Sequence, residues 1–167
     1  MDQITQSLVA ALQAHNISPH LITFLISLIP LLELRGGILV AGAILKQNVF
    51  LTYIAAVLGN MLPIPFILLF IRKIFDLMRK NKRFGKLVDK LEQKADKHKD
   101  KIDKYRLWGL FLLVAIPLPG TGAWTGALVA ALMDIRIRHA LPVIAAGVIV
   151  AGIIVATLSY GVAGFVG

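Results

Sequence analysis

The sequence predicts an all-α integral membrane protein: an inverted repeat of two re-entrant helical hairpins and two transmembrane helices, with an N-terminal amphipathic helix and a basic cytoplasmic helical linker. Three observations carry this expectation. The 167 residues are 57% apolar and only 16% charged, with a mean hydropathy of +0.79, whereas a soluble domain is roughly 25% charged. Charge is segregated, since residues 72–106 hold 14 of the 18 basic and 6 of the 9 acidic side chains and so +8 of the net +9. Finally, segments 21–45, 49–71, 108–132 and 140–166 are almost wholly apolar, and each reaches the roughly 20 residues that cross a bilayer.

Residues 1–18 place Ile4, Leu8 and Leu12, with Val9 and Ala11 less regularly, on one face. This reads as a three-turn amphipathic helix able to lie on a membrane surface. Asp2 is the only full charge in the first sixteen residues, so the positive n-region of a signal peptide is missing and the segment is expected to be retained. Ser18-Pro19 supplies an N-cap and a first-turn proline for the next helix.

The rest of the chain repeats itself. A shift of 87 residues sets Leu28-Ile29-Pro30-Leu31 on Ala115-Ile116-Pro117-Leu118, Gly42-Ala43 on Val129-Ala130, and Val57 on Ile144. Each half is a broken apolar segment, a turn and an unbroken span. Repeat 1 covers 19–71, with a hairpin over 19–45 and a transmembrane helix over 49–71. Repeat 2 covers 107–167, with a hairpin over 108–132 and a transmembrane helix over 140–166.

Pro30-Leu-Leu-Glu33-Leu-Arg35-Gly36-Gly37 and Pro117-Leu-Pro119-Gly120-Thr-Gly122 put helix breakers in mid-segment. About 10 residues remain on each side, or ~15 Å of helix, half of the ~30 Å hydrocarbon core. That is the length of a re-entrant hairpin, whose tip must be buried in protein or face a wet cavity. The alternative is a pair of kinked spanning helices. Two crossings leave sixteen cations on one face and Lys46 alone on the other, whereas four crossings give 14 against 3. The positive-inside rule puts the linker in the cytoplasm either way and fits the re-entrant topology better.

Within the linker, Phe84, Leu87, Val88, Leu91, Ala95, Ile102 and Tyr105 form one apolar stripe, and pairs such as Asp76/Lys80 and Asp100/Lys104 flank it. A basic helix on the anionic leaflet, or one pairing with a second subunit, is expected. Nucleic acid is not an expected partner, because no base-stacking or groove-reading motif accompanies the charge.

Glu33 and Arg35 are the only acid and base within the four apolar segments. At about 2.5 to 3.5 kcal/mol each at a helix centre, such a pair is a candidate functional site, or else a structural ion pair. Half-helices restarting at Gly36-Gly37 and at Thr121-Gly122-Ala123 would present free N–H groups to an anion. Arg35 would add a bidentate fork, Thr121 and Thr125 hydroxyls, and Asn60 a hydrogen bond to a hairpin tip, while Gly37, Gly122 and Gly126 would also permit close packing. Trp124 is expected to pack. Zero cysteines exclude thiol chemistry and disulfides. The four histidines lack metal-ligand spacing, and no metal or cofactor is expected.

Pro30-Leu-Leu-Glu-Leu-Arg-Gly-Gly37, together with Ala115-Ile-Pro-Leu-Pro-Gly-Thr-Gly-Ala-Trp124, resembles the small multidrug export proteins of bacteria and archaea over roughly residues 20–165. That resemblance implies two oppositely oriented re-entrant hairpins in a plasma membrane. It also implies a remote relation to the DedA proteins, some of which are implicated in proton-coupled flipping of polyprenyl-phosphate or phospholipid carriers. The second hairpin here lacks the acidic and arginine positions usual in DedA hairpins.

The leading functional expectation is a small secondary transporter or lipid flippase, homodimeric, binding an anionic phosphate-like group between the tips through Glu33, Arg35, Gly36, Gly37, Asn60, Pro117, Pro119, Gly120, Thr121, Gly122 and Thr125. Its partners would be membrane lipids and a small-molecule or lipid-phosphate substrate. The competing readings are a proton-coupled exporter of lipophilic cations using Glu33 and a non-transporting membrane scaffold. With no hydrolytic or redox constellation, an enzyme is not expected.

Overall fold

The computed structural model describes residues 3–79, 99–118 and 120–166, and every regular element among them is a helix. The first is α1 (Gln3–Ala14). Its Val9 is buried in one cluster with Ile22, Ile26 and Val40, and Leu12 and Ile17 pack against it.

The cap of α2 (Pro19–Leu28) is the one expected: the Ser18 hydroxyl accepts the Leu21 N–H at 3.4 Å, and Pro19 opens the first turn. Its end is equally local in origin. Ile29 precedes proline and takes the extended conformation (φ −73°, ψ 127°) that such residues prefer. The Leu32 and Glu33 N–H groups then both donate to the Ile29 carbonyl, at 3.1 and 2.8 Å.

From that turn, α3 (Glu33–Ala43) runs back along α2. The return is tied at its far end, where Gln47 Nε2 donates to the Pro19 carbonyl and to Thr23 Oγ1, both at 3.0 Å. Asn48 Oδ1 next accepts the N–H groups of Phe50 and Leu51 at 2.9 and 3.4 Å and so caps α4 (Val49–Met61). The span expected to be unbroken over 49–71 is interrupted at Leu62–Pro63 and resumes as α5 (Ile64–Arg79), because Pro63 and Pro65 donate no backbone hydrogen bonds.

The other half contains α6 (Lys99–Ala115), α7 (Ala123–Leu132) and α8 (Ile137–Val166), the last with Pro142 inside it. Both ends of the linker are thus helical, in α5 and α6. The stripe from Phe84 to Ala95, the side chains of Asp76/Lys80 and Asp100/Lys104, and Pro119 lie outside the described residues.

Val49–Ile71 and Ile137–Gly161 are long and apolar enough to cross a membrane. Only 33% and 39% of their most apolar windows are buried, whereas a soluble core helix is mostly buried. Phe50, Ile54 and Leu58 on α4, and Ile149 and Ile153 on α8, are exposed along single faces, as lipid-facing stripes require.

Two compact units divide the chain, one of residues Met1–Met61 with Val150–Gly167 and one of Leu62–Ile149. In the first, α2, α3 and α4 meet at Ser27. A Cβ on Gly37 would collide with the Ser27 hydroxyl and lie 2.9 Å from the Thr23 carbonyl, and one on Gly59 would collide with the Phe24 carbonyl and lie 3.1 Å from the Ser27 Cβ. In the second unit Val114 takes the place of Ser27. Cβ atoms on Gly126 and Gly147 would lie 2.5 and 2.7 Å from its side chain, and Gly147 also faces the Phe111 carbonyl at 3.2 Å.

Phe24 and Ser27 correspond to Phe111 and Val114 at an offset of 87, Gly59 to Gly147 at 88, and Gly37 to Gly126 at 89. In chain order the offset runs from 87 to 89 and back to 88, and the second break, 116–122, is longer than the first, 29–32. The gapless pairing of Gly42-Ala43 with Val129-Ala130 does not follow these contacts.

Gly59→Ala should accordingly lower the melting temperature in detergent, by the equivalent of about 1–3 kcal/mol of overpacking. Gly109, whose Cβ would meet nothing within 4 Å, is the control. Its replacement by Ala should raise stability by roughly 0.5–1 kcal/mol.

Candidate functional site

Among the described residues, the buried polar and charged side chains are Thr23, Ser27, Glu33, Thr52 and Asn60, and all five belong to the first unit. Their placement follows from helical register. Thr23 and Ser27 are four apart on α2, and Thr52 and Asn60 are eight apart on α4, so each pair shares one face. Thr23 Oγ1 and Ser27 Oγ donate back to the Pro19 and Thr23 carbonyls at 3.2 and 2.8 Å. Tyr160 of α8, in the same unit, donates to Thr52 Oγ1 at 3.2 Å. The sequence reading missed this polar track, although the Thr23/Ser27 spacing on an otherwise apolar helix was a legible signal for it.

Glu33 opens α3 with φ +50° and is 5% exposed. A left-handed conformation costs a non-glycine residue on the order of 1–2 kcal/mol. In the second unit the positive φ values at the break fall on glycine, at Gly120 (78°) and Gly122 (139°). A carboxylate thus occupies the kind of backbone position that glycine fills without strain, and strain of this kind concentrates at functional sites. Arg35, half-buried two residues on, is attracted electrostatically to Glu33.

The restart differs from expectation. The half-helix begins at Glu33, not at Gly36-Gly37. Gly36 N–H donates to the Leu32 carbonyl at 2.8 Å, so it offers no free donor, and Gly37 serves the contact with Ser27. Asn60 is fully buried, and neither atom of its side-chain amide has a hydrogen-bond partner. Such a group costs about 1–3 kcal/mol and asks for an explanation beyond packing.

At the second break, α7 restarts at Ala123 with Gly122 as its N-cap, as expected. The hydroxyls there hold the turn itself. Thr121 Oγ1 lies 2.9 and 2.8 Å from the Ile116 and Leu118 carbonyls and accepts the Leu118 N–H at 3.2 Å, while Thr125 Oγ1 donates to the Gly120 carbonyl at 3.1 Å. Pro117 and Gly120 complete this turn. Glu33, Arg35, Gly36, Gly37 and Asn60 are therefore grouped in one unit, and Pro117, Gly120, Thr121, Gly122 and Thr125 in the other. No three His, Cys, Asp or Glu residues come together as a metal would need, among the described residues.

Asn60→Leu removes a cost, that of an unbonded amide. The variant should melt at the native temperature or above it, by up to about 1–3 kcal/mol, while losing activity. Destabilisation would mark Asn60 as structural.

One family model, described as "Putative small multi-drug export protein", matches residues 33–154. No curated protein and no solved structure matches the chain.

Proposed function

This chain belongs to the small multi-drug export protein family, and on that premise we propose that it is a small secondary transporter whose first unit binds an anionic, phosphate-like group of a small molecule or lipid carrier. The observation that carries this is that all the buried polar side chains among the described residues lie in the first unit, together with a strained, buried Glu33. Arg35 supplies the planar fork for the anion, the Asn60 amide supplies donor and acceptor, and Glu33 takes the proton. An anion arriving at Arg35 competes with the Glu33 carboxylate for the same guanidinium, and the displaced carboxylate is neutralised most cheaply by protonation. The same arginine disfavours a lipophilic cation.

The tie from Gln47 back to Pro19 supports a re-entrant segment, since a chain that returns to its starting level has not crossed. In the second unit, Leu107 and Trp108 share a groove with Pro142 and Val143, and Phe111 lies against Gly147. α6 and the start of α8 thus run in one direction. That supports placing Arg136 and Arg138 on the face of the linker, and the matching glycine contacts support a duplicated architecture.

Topology is tested by single cysteines, which the chain otherwise lacks. Lys46→Cys should react with an impermeant reagent from outside the cell, and Arg72→Cys and Arg136→Cys should not. Lys46 and Arg136 labelled from the same side would overturn the re-entrant topology.

Function is tested in proteoliposomes by transbilayer movement of a fluorescent anionic lipid, read by dithionite reduction. Arg35→Lys should slow it roughly tenfold or more, because an ammonium keeps the charge but loses the fork. Glu33→Gln should abolish its pH dependence. Ethidium accumulation that needs Glu33, with no lipid movement, would assign the site to cation export instead.

A further inference from the structure

An open groove of about 390 Å³ lies within the second unit, lined by Leu107, Trp108 and Phe111 of α6 and by Pro142, Val143 and Ala146 of α8. Its volume is that of a small-molecule site, and it contains no charge. We infer that it is a site selective for an anionic phospholipid, with an acyl chain along the groove and the headgroup at its arginine-bearing end. This goes beyond the transport proposal and uses none of the residues that carry it.

The charge distribution selects the occupant. On α8, Arg138 and His139 lie one turn before Pro142 and Val143, both exposed, and Arg136 is exposed at the helix start. On α6, Arg106 immediately precedes Leu107. The groove is therefore apolar along its length, and at one end three arginines, Arg106, Arg136 and Arg138, outnumber the single acid, Asp134, giving that end a net positive charge. A lipophilic cation would be repelled at that end. An anionic amphiphile matches both parts.

Local chemistry agrees. Trp108 is 66% exposed and is held edge-to-face by Phe111 with ring centroids 6.0 Å apart, an arrangement suited to the interface where tryptophan concentrates. Pro142 has no N–H to give to the Arg138 carbonyl four residues back. That leaves an acceptor near the headgroup for a hydroxyl such as that of phosphatidylglycerol. Basic pockets between helices on the cytoplasmic side are where anionic headgroups are held.

The chain has two tryptophans, so Trp124→Phe leaves Trp108 as the sole reporter. Reconstituted in phosphatidylcholine vesicles, it should be quenched more strongly by acyl-brominated phosphatidylglycerol than by acyl-brominated phosphatidylcholine, with a relative affinity of roughly fivefold or more. Arg136→Gln with Arg138→Gln should bring the ratio close to one while quenching by phosphatidylcholine persists. Should that variant fail to fold, raising the salt concentration on the unaltered arginines should narrow the ratio. Equal quenching by both lipids, or a preference indifferent to the arginines or to salt, would overturn the site. Loss of transport through Arg35→Lys would leave this measurement unchanged, so the two proposals fail separately.

Discussion

Three helices can share one side of Ser27 only because two of them present glycine to it. Lipid tails are as apolar as leucine, so helices in a membrane gain little by hiding from their surroundings. They associate through close packing, which small residues permit. Gly59 brings α4 onto the Phe24 carbonyl, and Gly37 brings α3 onto Thr23 and Ser27. With α3 held against α2, the break before it is drawn into the unit, and Glu33 is buried as a consequence. Methyl groups at these two positions would push apart the faces that carry Thr23, Ser27 and Asn60, so the packing comes first and the polar track depends on it.

Local signals were legible in the sequence. The Ser18-Pro19 cap, the breaks at Pro30 and around Pro117, and the restart of α7 at Ala123 follow from the stereochemistry of a few neighbouring residues. Signals that depend on tertiary contact were not. Glycines at 36 and 37 read as a break because glycine weakens helices in isolation, yet Gly37 sits inside α3 where no side chain would fit. Positive φ at Glu33 has no compositional signature. Val9 reads as one residue of a surface face until Ile22, Ile26 and Val40 are brought to it. The arrangement in the second unit that places Trp108 beside Pro142 involves residues more than thirty apart in the chain, which periodicity cannot see.

The two units share a packing scheme and differ in chemistry. Where one has Thr23, Ser27 and a carboxylate with positive φ, the other has Leu110, Val114 and glycines. A purely structural role would not account for that difference, since the leucine-valine version packs the same glycine contacts without burying a hydroxyl or a charge. Polar side chains are costly in this setting, and those of the first unit include an amide left without hydrogen-bond partners.

Charge conservation narrows how such a site can work. Glu33 and Arg35 together are neutral, the cheapest state for a partly buried pair in an apolar chain. A monoanion bound at Arg35 would leave the site with one net negative charge, and moving that charge through a low-dielectric interior carries a large solvation penalty. Protonation of Glu33 restores neutrality with a group already in place. Under the proposed function the loaded site therefore carries one proton with each monoanion, and Glu33 need not touch the substrate to be required for its movement. Removing the carboxylate altogether leaves Arg35 alone to neutralise the anion. The loaded site is then neutral at every pH, and the empty one, now positively charged, becomes the costly state.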